Sequence, residues 1–171
     1  MTASNSTTGG IYIGLGANLP STIGTPQETL EVTLDHLEEK GVTVAARSPW
    51  YASEPVPPSG QPWFINGVAE LVTQLPPGAL LALLHEIEAS LGRVRRERWE
   101  ARVVDVDLLD YRGEINVGPS PILPHPRMTE RSFVLFPLRD IAPTWCDPAT
   151  GQGIDVLIEA LAPGGAIKKA N

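Results

Sequence analysis

Asp105 and Asp107 stand two residues apart in the middle of an apolar run, ARVVDVDLLDY, residues 101–111. Val103, Val104, Val106, Leu108 and Leu109 give that run the character of a strand. Side chains alternate faces along a strand, so both carboxylates point the same way, with Cα atoms about 6.6 Å apart. Asp is disfavoured in strands, and two like charges on one face repel each other. Carboxylate oxygens arranged this way can bind or bridge Mg²⁺ while water and phosphate complete its octahedron. The plainer alternative is a pair of solvated aspartates on an open sheet face.

Just upstream lies GRVRRERWEAR, residues 92–102, which holds Arg93, Arg95, Arg96, Arg98 and Arg102. Those are five of the chain's 13 basic side chains, in a protein of net charge −7. Guanidinium forks suit phosphate oxygens. A solvated charge run is the competing reading, but this one leads directly into the aspartate strand. Arginines beside a carboxylate-held metal are the parts of a phosphoryl-transfer site. No G-x-x-x-x-G-K-[ST] loop is present, and GLGAN at 14–18 reads as a turn. Phe64 shares a strand face with Asn66, and Phe133 follows Arg131. A ring to stack on and an amide to read an edge would suit a flat, polar heterocycle. His125, in LPHPR, could contact phosphate or act as an acid, although a lone histidine is more often structural.

These residues need elements to position them. IYIGLGA at 11–17 reads as a short buried strand. Thr25, Pro26 and Glu28 announce a helix by a capping box and a first-turn proline. Leu30, Leu34 and Leu37 give it one apolar face, and Gly41 stops it. VTVAAR at 42–47 is a second strand running on toward Tyr51, and EPVPPSGQP at 54–62 is an exposed connection. WFINGVAELVT at 63–73 is a third strand, with Ile65, Gly67, Ala69 and Leu71 toward the helices and Phe64, Asn66 and Glu70 on the opposite side. A second helix opens at PPG, 76–78, lines up Leu80, Leu84, Ile87 and Leu91, and ends at Gly92. With the aspartate strand the order is βαββαβ, an α+β, ferredoxin-like core. Its two helices should cover one face of an antiparallel sheet and leave the other free for a site. Residues 112–171 read as a C-terminal elaboration with a short final helix near 153–161.

The composition narrows the class. A length of 171 residues suits one domain, taken here as 10–171 after a disordered lead-in at 1–9. The acidic balance argues against general nucleic-acid or anionic-membrane binding. One cysteine, Cys146, excludes an internal disulfide framework. MTASNSTTGG lacks the features of a secretory signal, so the expected location is the cytoplasm.

Taken in order, these segments resemble the 6-hydroxymethyl-7,8-dihydropterin pyrophosphokinase family of folate biosynthesis. The resemblance runs from IGLGANL at 13–19 to RDIAP at 139–143. Its most specific part is RWEARVVDVDLL at 98–109, supported by QPWFINGV at 61–68, GRVR at 92–95 and PHPRMTERSFVLFPL at 124–138. The signature prefers Gly or Ala where Glu100 stands, relatives often carry Gln at the position of His85, and Tyr is frequent at position 64. The resemblance implies an ATP-dependent diphosphotransferase whose substrates are ATP and 6-hydroxymethyl-7,8-dihydropterin. It implies no membrane, nucleic acid or obligate protein partner. Asp105 and Asp107 would hold two Mg²⁺ ions. Phe64 and Phe133 would sandwich the pterin, Asn66 would bond its edge, and Ser53 and Val56 would approach it through backbone. Arg95, Arg98, Arg102, His125 and Arg131 would meet ATP phosphates, with Glu88 and Leu108 near the ribose and adenine. Trp99 would close over the substrates. An RNA-binding module or a regulatory ligand-binding module of the same fold is the rival class.

Overall fold

The computed structural model describes residues 9–55, 57–92 and 103–170. The sheet is built from β1 (Ile11–Ala17), β2 (Thr43–Arg47), β3 (Tyr51–Ser53), β4 (Phe64–Val72), β5 (Asp105–Tyr111) and β6 (Ile167–Lys169). Its order is β5-β1-β4-β3-β6, with β2 also paired to β4. Both β5 and β4 run antiparallel to β1, and β2 runs antiparallel to β4. Each parallel βαβ pair is therefore split by a strand of the other, which is the ferredoxin-like arrangement.

Helix α1 (Pro26–Glu39) begins where the local chemistry requires. Thr25 Oγ1 accepts the Glu28 amide at 3.2 Å, and Glu28 Oε2 accepts the Thr25 amide at 3.0 Å. Helix α2 (Pro77–Ser90) carries Leu80, Leu84 and Ile87 into the same layer. The chain leaves both helices through glycines of positive φ, Gly41 at +86° and Gly92 at +94°. Leu30, Leu34 and Leu37 of α1 pack with these residues against Ile11, Ile13, Leu15, Ala69 and Leu71 of the sheet.

Three sequence expectations need correction. The second strand does not run on to Tyr51. It breaks at Ser48–Pro49 because proline cannot extend a ladder, and β2 and β3 pair separately with the two ends of β4. At the break, the Trp50 ring fills the space over Gly67, where an added Cβ would sit 2.6 Å from Cζ3. The aspartate strand begins at Asp105, so the two carboxylates lie at its start rather than its middle. The second sheet face is only partly open. α3 (Ser132–Ile141) and α4 (Ile154–Glu159) cover one end of it, burying Val134, Leu135, Leu138, Ile154 and Leu157 with Tyr12, Val68 and Leu109. The segment read as an elaboration thus supplies a third layer and, as β6, an edge strand of the sheet.

Candidate active site

The uncovered end of that face holds the site. Register across the strands places Asp105 opposite Gly16, Gly16 opposite Asn66, and Asn66 opposite Tyr51. Directly opposed residues share a face, so these four form one row across β5, β1, β4 and β3. Asp107 opposes Gly14 in the next row. Strands lie about 4.8 Å apart, so about 10 Å separates the backbone of Asp105 from that of Asn66. Both residues between the carboxylates and the rest of the face are glycines. A Cβ at position 16 would sit 2.9 Å from Asn66 Oδ1, and one at position 14 would touch the Leu109 side chain at 3.5 Å. Gly14 and Gly16 are therefore the floor of the site, not a turn as GLGAN was read. The available signal was their period-two spacing within β1.

A cavity of about 240 Å³ opens over this floor, lined among others by Asp105, Asp107, Phe64, Asn66, Arg131 and Phe133. The structure thus brings together both aspartates, both phenylalanines, the amide and one arginine from the sequence candidates. Ser53 lines it too and accepts a hydrogen bond from Asn66 Nδ2 at 2.6 Å. Asn66 and Ser53 are both buried. That bond fixes the amide plane in the cavity wall. Arg131 lies over the Phe133 ring, 5.5 Å from its centroid, at the start of α3. Tyr51 Oη donates to Asp140 Oδ2 at 2.5 Å and ties β3 to α3, so the two walls of the cavity are linked. Glu54 and Gln61 also line the cavity and were missed by sequence reasoning, since both lie in the irregular connection after β3.

His125 is not among the residues lining the cavity but is hydrogen-bonded to one that is, Leu109, at a β-bulge. Ile13 pairs with Leu108 but Tyr12 pairs with Asp110, leaving Leu109 as the extra residue. Its carbonyl accepts the His125 amide at 2.8 Å. The imidazole Nδ1 accepts the Arg127 amide at 3.2 Å, so in the neutral ring Nε2 carries the proton. Burial pushes the His125 pKa down to about 4, with Arg131 and Arg127 acting in the same direction and Asp105 opposing them.

Two candidates stand on the other side of the sheet. Leu108 is buried in the helix-side core, and Glu88, buried on α2, accepts the Val106 amide at 2.7 Å. β5 is the outermost strand of its edge. The Val106 bond to Glu88 shows that its amide points off that edge, and period two gives Leu108 the same direction. His85 is exposed on α2. Val56, Arg95, Arg98, Trp99 and Arg102 lie outside the described residues, as does Glu100.

Asp105 and Asp107 fit a divalent cation. Among the described residues no cluster of three or more His, Cys, Asp or Glu is present. Two carboxylates on one face are nevertheless the ligand set that Mg²⁺ takes when phosphate and water supply the remainder. Among the described residues no helix is long and apolar enough to cross a membrane.

The family model for 7,8-dihydro-6-hydroxymethylpterin-pyrophosphokinase matches residues 12–143. The 2-amino-4-hydroxy-6-hydroxymethyldihydropteridine pyrophosphokinase of Methylorubrum extorquens is 42% identical over 133 residues, covering 77% of this chain and 82% of that protein. The protein of the same name from Pseudomonas aeruginosa is 42% identical over 134 residues, with 78% and 80% covered. In fold, the chain is similar to Plasmodium falciparum HPPK-DHPS, crystallised with pteroate, at a TM-score of 0.61 and 14% identity. That match covers 92% of this chain and 43% of the larger one. The chain belongs to the 7,8-dihydro-6-hydroxymethylpterin-pyrophosphokinase family.

Proposed function

We propose that this chain, as one domain spanning residues 10–171, transfers the pyrophosphoryl group of ATP to 6-hydroxymethyl-7,8-dihydropterin, giving the pterin diphosphate and AMP. The observation that carries the reading is the row Asp105–Gly16–Asn66. A carboxylate pair and a heterocycle slot face one cavity, separated by a floor without side chains. Phe64 and Phe133 hold the pterin ring, Asn66 bonds its polar edge, and Ser53 and Val56 approach through backbone. Trp99 closes over the bound substrates and excludes water.

On the other side of the glycine floor, Arg131 and His125 meet the ATP phosphates together with Arg95, Arg98 and Arg102. Neutral His125 offers Nε2–H to a phosphate oxygen while Nδ1 stays engaged with the Arg127 amide. Glu88 holds the β5 edge, and the outward backbone of Leu108 reads the nucleoside. Asp105 and Asp107 would hold two Mg²⁺ ions, which when bound would supply positive charge against the transferring phosphates. The hydroxymethyl oxygen attacks the β-phosphorus in line, and no covalent enzyme intermediate is needed. The reaction belongs in the cytoplasm, with the two small substrates as the only partners it requires.

Asp105→Asn and Asp107→Asn test the assignment. Each should remove most turnover. Without Mg²⁺ each should melt at an unchanged or slightly higher temperature, because removing one charge relieves repulsion. Near-normal activity in either variant would contradict the carboxylate role.

A further inference from the structure

The last strand is short, mostly exposed and far in sequence from every residue given a role above. Its contacts nevertheless converge on one wall of the cavity. β6 pairs antiparallel with β3, placing Ile167 opposite Ser53, Lys168 opposite Ala52 and Lys169 opposite Tyr51. The ladder continues past both ends, with Glu54 N donating to Ala166 O at 3.0 Å and Ala170 N to Trp50 O at 2.8 Å. Alternate pairs of an antiparallel ladder exchange hydrogen bonds, so Ala52 and Lys168 belong to the bonded class.

Two side chains extend the grip beyond β3. The Glu54 carboxylate accepts the Ala166 amide through Oε1 at 2.8 Å. Lys168 Nζ lies over the ring of Trp63, 5.8 Å from its centroid, and Trp63 immediately precedes Phe64. The turn entering β6 is also closely fitted: a Cβ at Gly165 would meet the Glu54 Cβ at 2.8 Å. Ser53, Glu54 and Phe64 line the cavity, and β6 is attached to all three directly or through a neighbour. No contact of this kind joins β6 to β5, which lies at the opposite edge of the sheet.

We propose that β6 and the turn before it are a positioning element for the heterocycle half of the cavity, setting affinity for the pterin without setting affinity for ATP. This rests on the division of the cavity given under Proposed function. The strand acts through Ser53, Glu54 and Trp63 and touches no reacting atom. Residues 167–169 are mostly exposed and belong to neither apolar layer, the helix-side core meeting this segment only at Ala170. The effect therefore belongs to the site rather than to the core.

The test uses the full chain with Lys168→Pro, which removes the amide bonded to Ala52 and the cation over Trp63. Ala166→Pro, which removes the amide bonded to Glu54, is the second variant. Steady-state KM values for pterin and ATP, kcat and the melting temperature are measured for each. The pterin KM should rise roughly three- to tenfold, the loss of one or two hydrogen bonds' worth of positioning. The ATP KM should stay within about twofold, and the melting temperature within a few degrees. An unchanged pterin KM, or equal rises in both KM values, would overturn the proposal. If either variant unfolds, the other decides. Calorimetric binding of the pterin in the presence of a non-hydrolysable ATP analogue gives the same comparison without turnover. An inactive parent chain would contradict the proposed reaction while leaving the role of β6 to be decided by that binding difference.

Discussion

At the scale of single residues, the site combines one fixed amide with one imidazole kept neutral. Asn66 is held by the bond from Nδ2 to Ser53 and by the absence of a side chain at Gly16. Asn66→Ala should weaken pterin binding by about 1–3 kcal/mol, since a polar ring edge is left buried and unpaired. ATP binding, measured separately by calorimetry, should hardly change, and an equal loss for both ligands would contradict the division of the cavity. His125 supplies a pH signature. Burial is the main cause of its lowered pKa, so its neutral form persists down to about pH 4, against 6.5 for the free side chain. Between those values the unfolded chain binds more protons than the folded one, so the contribution of His125 to stability falls as pH drops from about 6.5 to 4 and is level above. The His125 ring proton in an NMR titration of the ligand-free protein should move near pH 4. A midpoint near 6.5 would show a solvated, uncoupled ring.

At the scale of elements, what was legible in the sequence was what local chemistry decides. Thr25, Pro26 and Glu28 lie within four residues, and the capping box they announce forms as read. Leu80, Leu84 and Ile87 repeat at helical spacing, and α2 buries all three. The features that were not legible depend on partners distant in sequence. Gly14 and Gly16 look like turn residues until register sets them opposite Asp107 and Asp105. The bulge at Leu109, which brings Asp110 onto the face that Asp105, Asp107 and Leu109 share by alternation, follows from how β5 meets β1 and has no local mark. β6 has a single apolar residue in IKK, so neither length nor alternation announces it. Among the candidate residues, Phe64, Asn66, Asp105 and Asp107 were readable because strand alternation assigns their faces without knowledge of the partner. Gly16→Ala tests the glycine floor. The new methyl would press on Asn66 Oδ1, so the pterin KM should rise several-fold while the helix-side core, on the far face, keeps the melting temperature within a few degrees. An unchanged pterin KM would show that the floor has room to spare.

At the scale of the molecule, the sheet separates two apolar layers, and the site exists because the second is incomplete. α1 and α2 pack their apolar residues on one face, whereas α3 and α4 cover only one end of the other and leave a cavity over Asp105 and Asn66. The covered end is tied down by Asp110. This buried carboxylate accepts Trp145 Nε1 at 2.8 Å and the Gly113 amide at 3.0 Å, while burial raises its pKa. Tyr51 and Asp140 then join the end of the sheet that holds Ser53 to the helix that holds Phe133. The layered fold thus sets a heterocycle slot and a carboxylate pair on one sheet face, and membership of the pyrophosphokinase family points to attack inside a triphosphate chain rather than at its end. An ordinary kinase with the same arginines and aspartates would transfer the γ-phosphate and release ADP. Incubating the protein with Mg²⁺, ATP and 6-hydroxymethyl-7,8-dihydropterin and resolving the nucleotides by ion exchange separates the two outcomes. AMP should form in one-to-one proportion with the pterin diphosphate, and EDTA should stop both. ADP as the main nucleotide product, or no pterin-dependent turnover, would contradict the account.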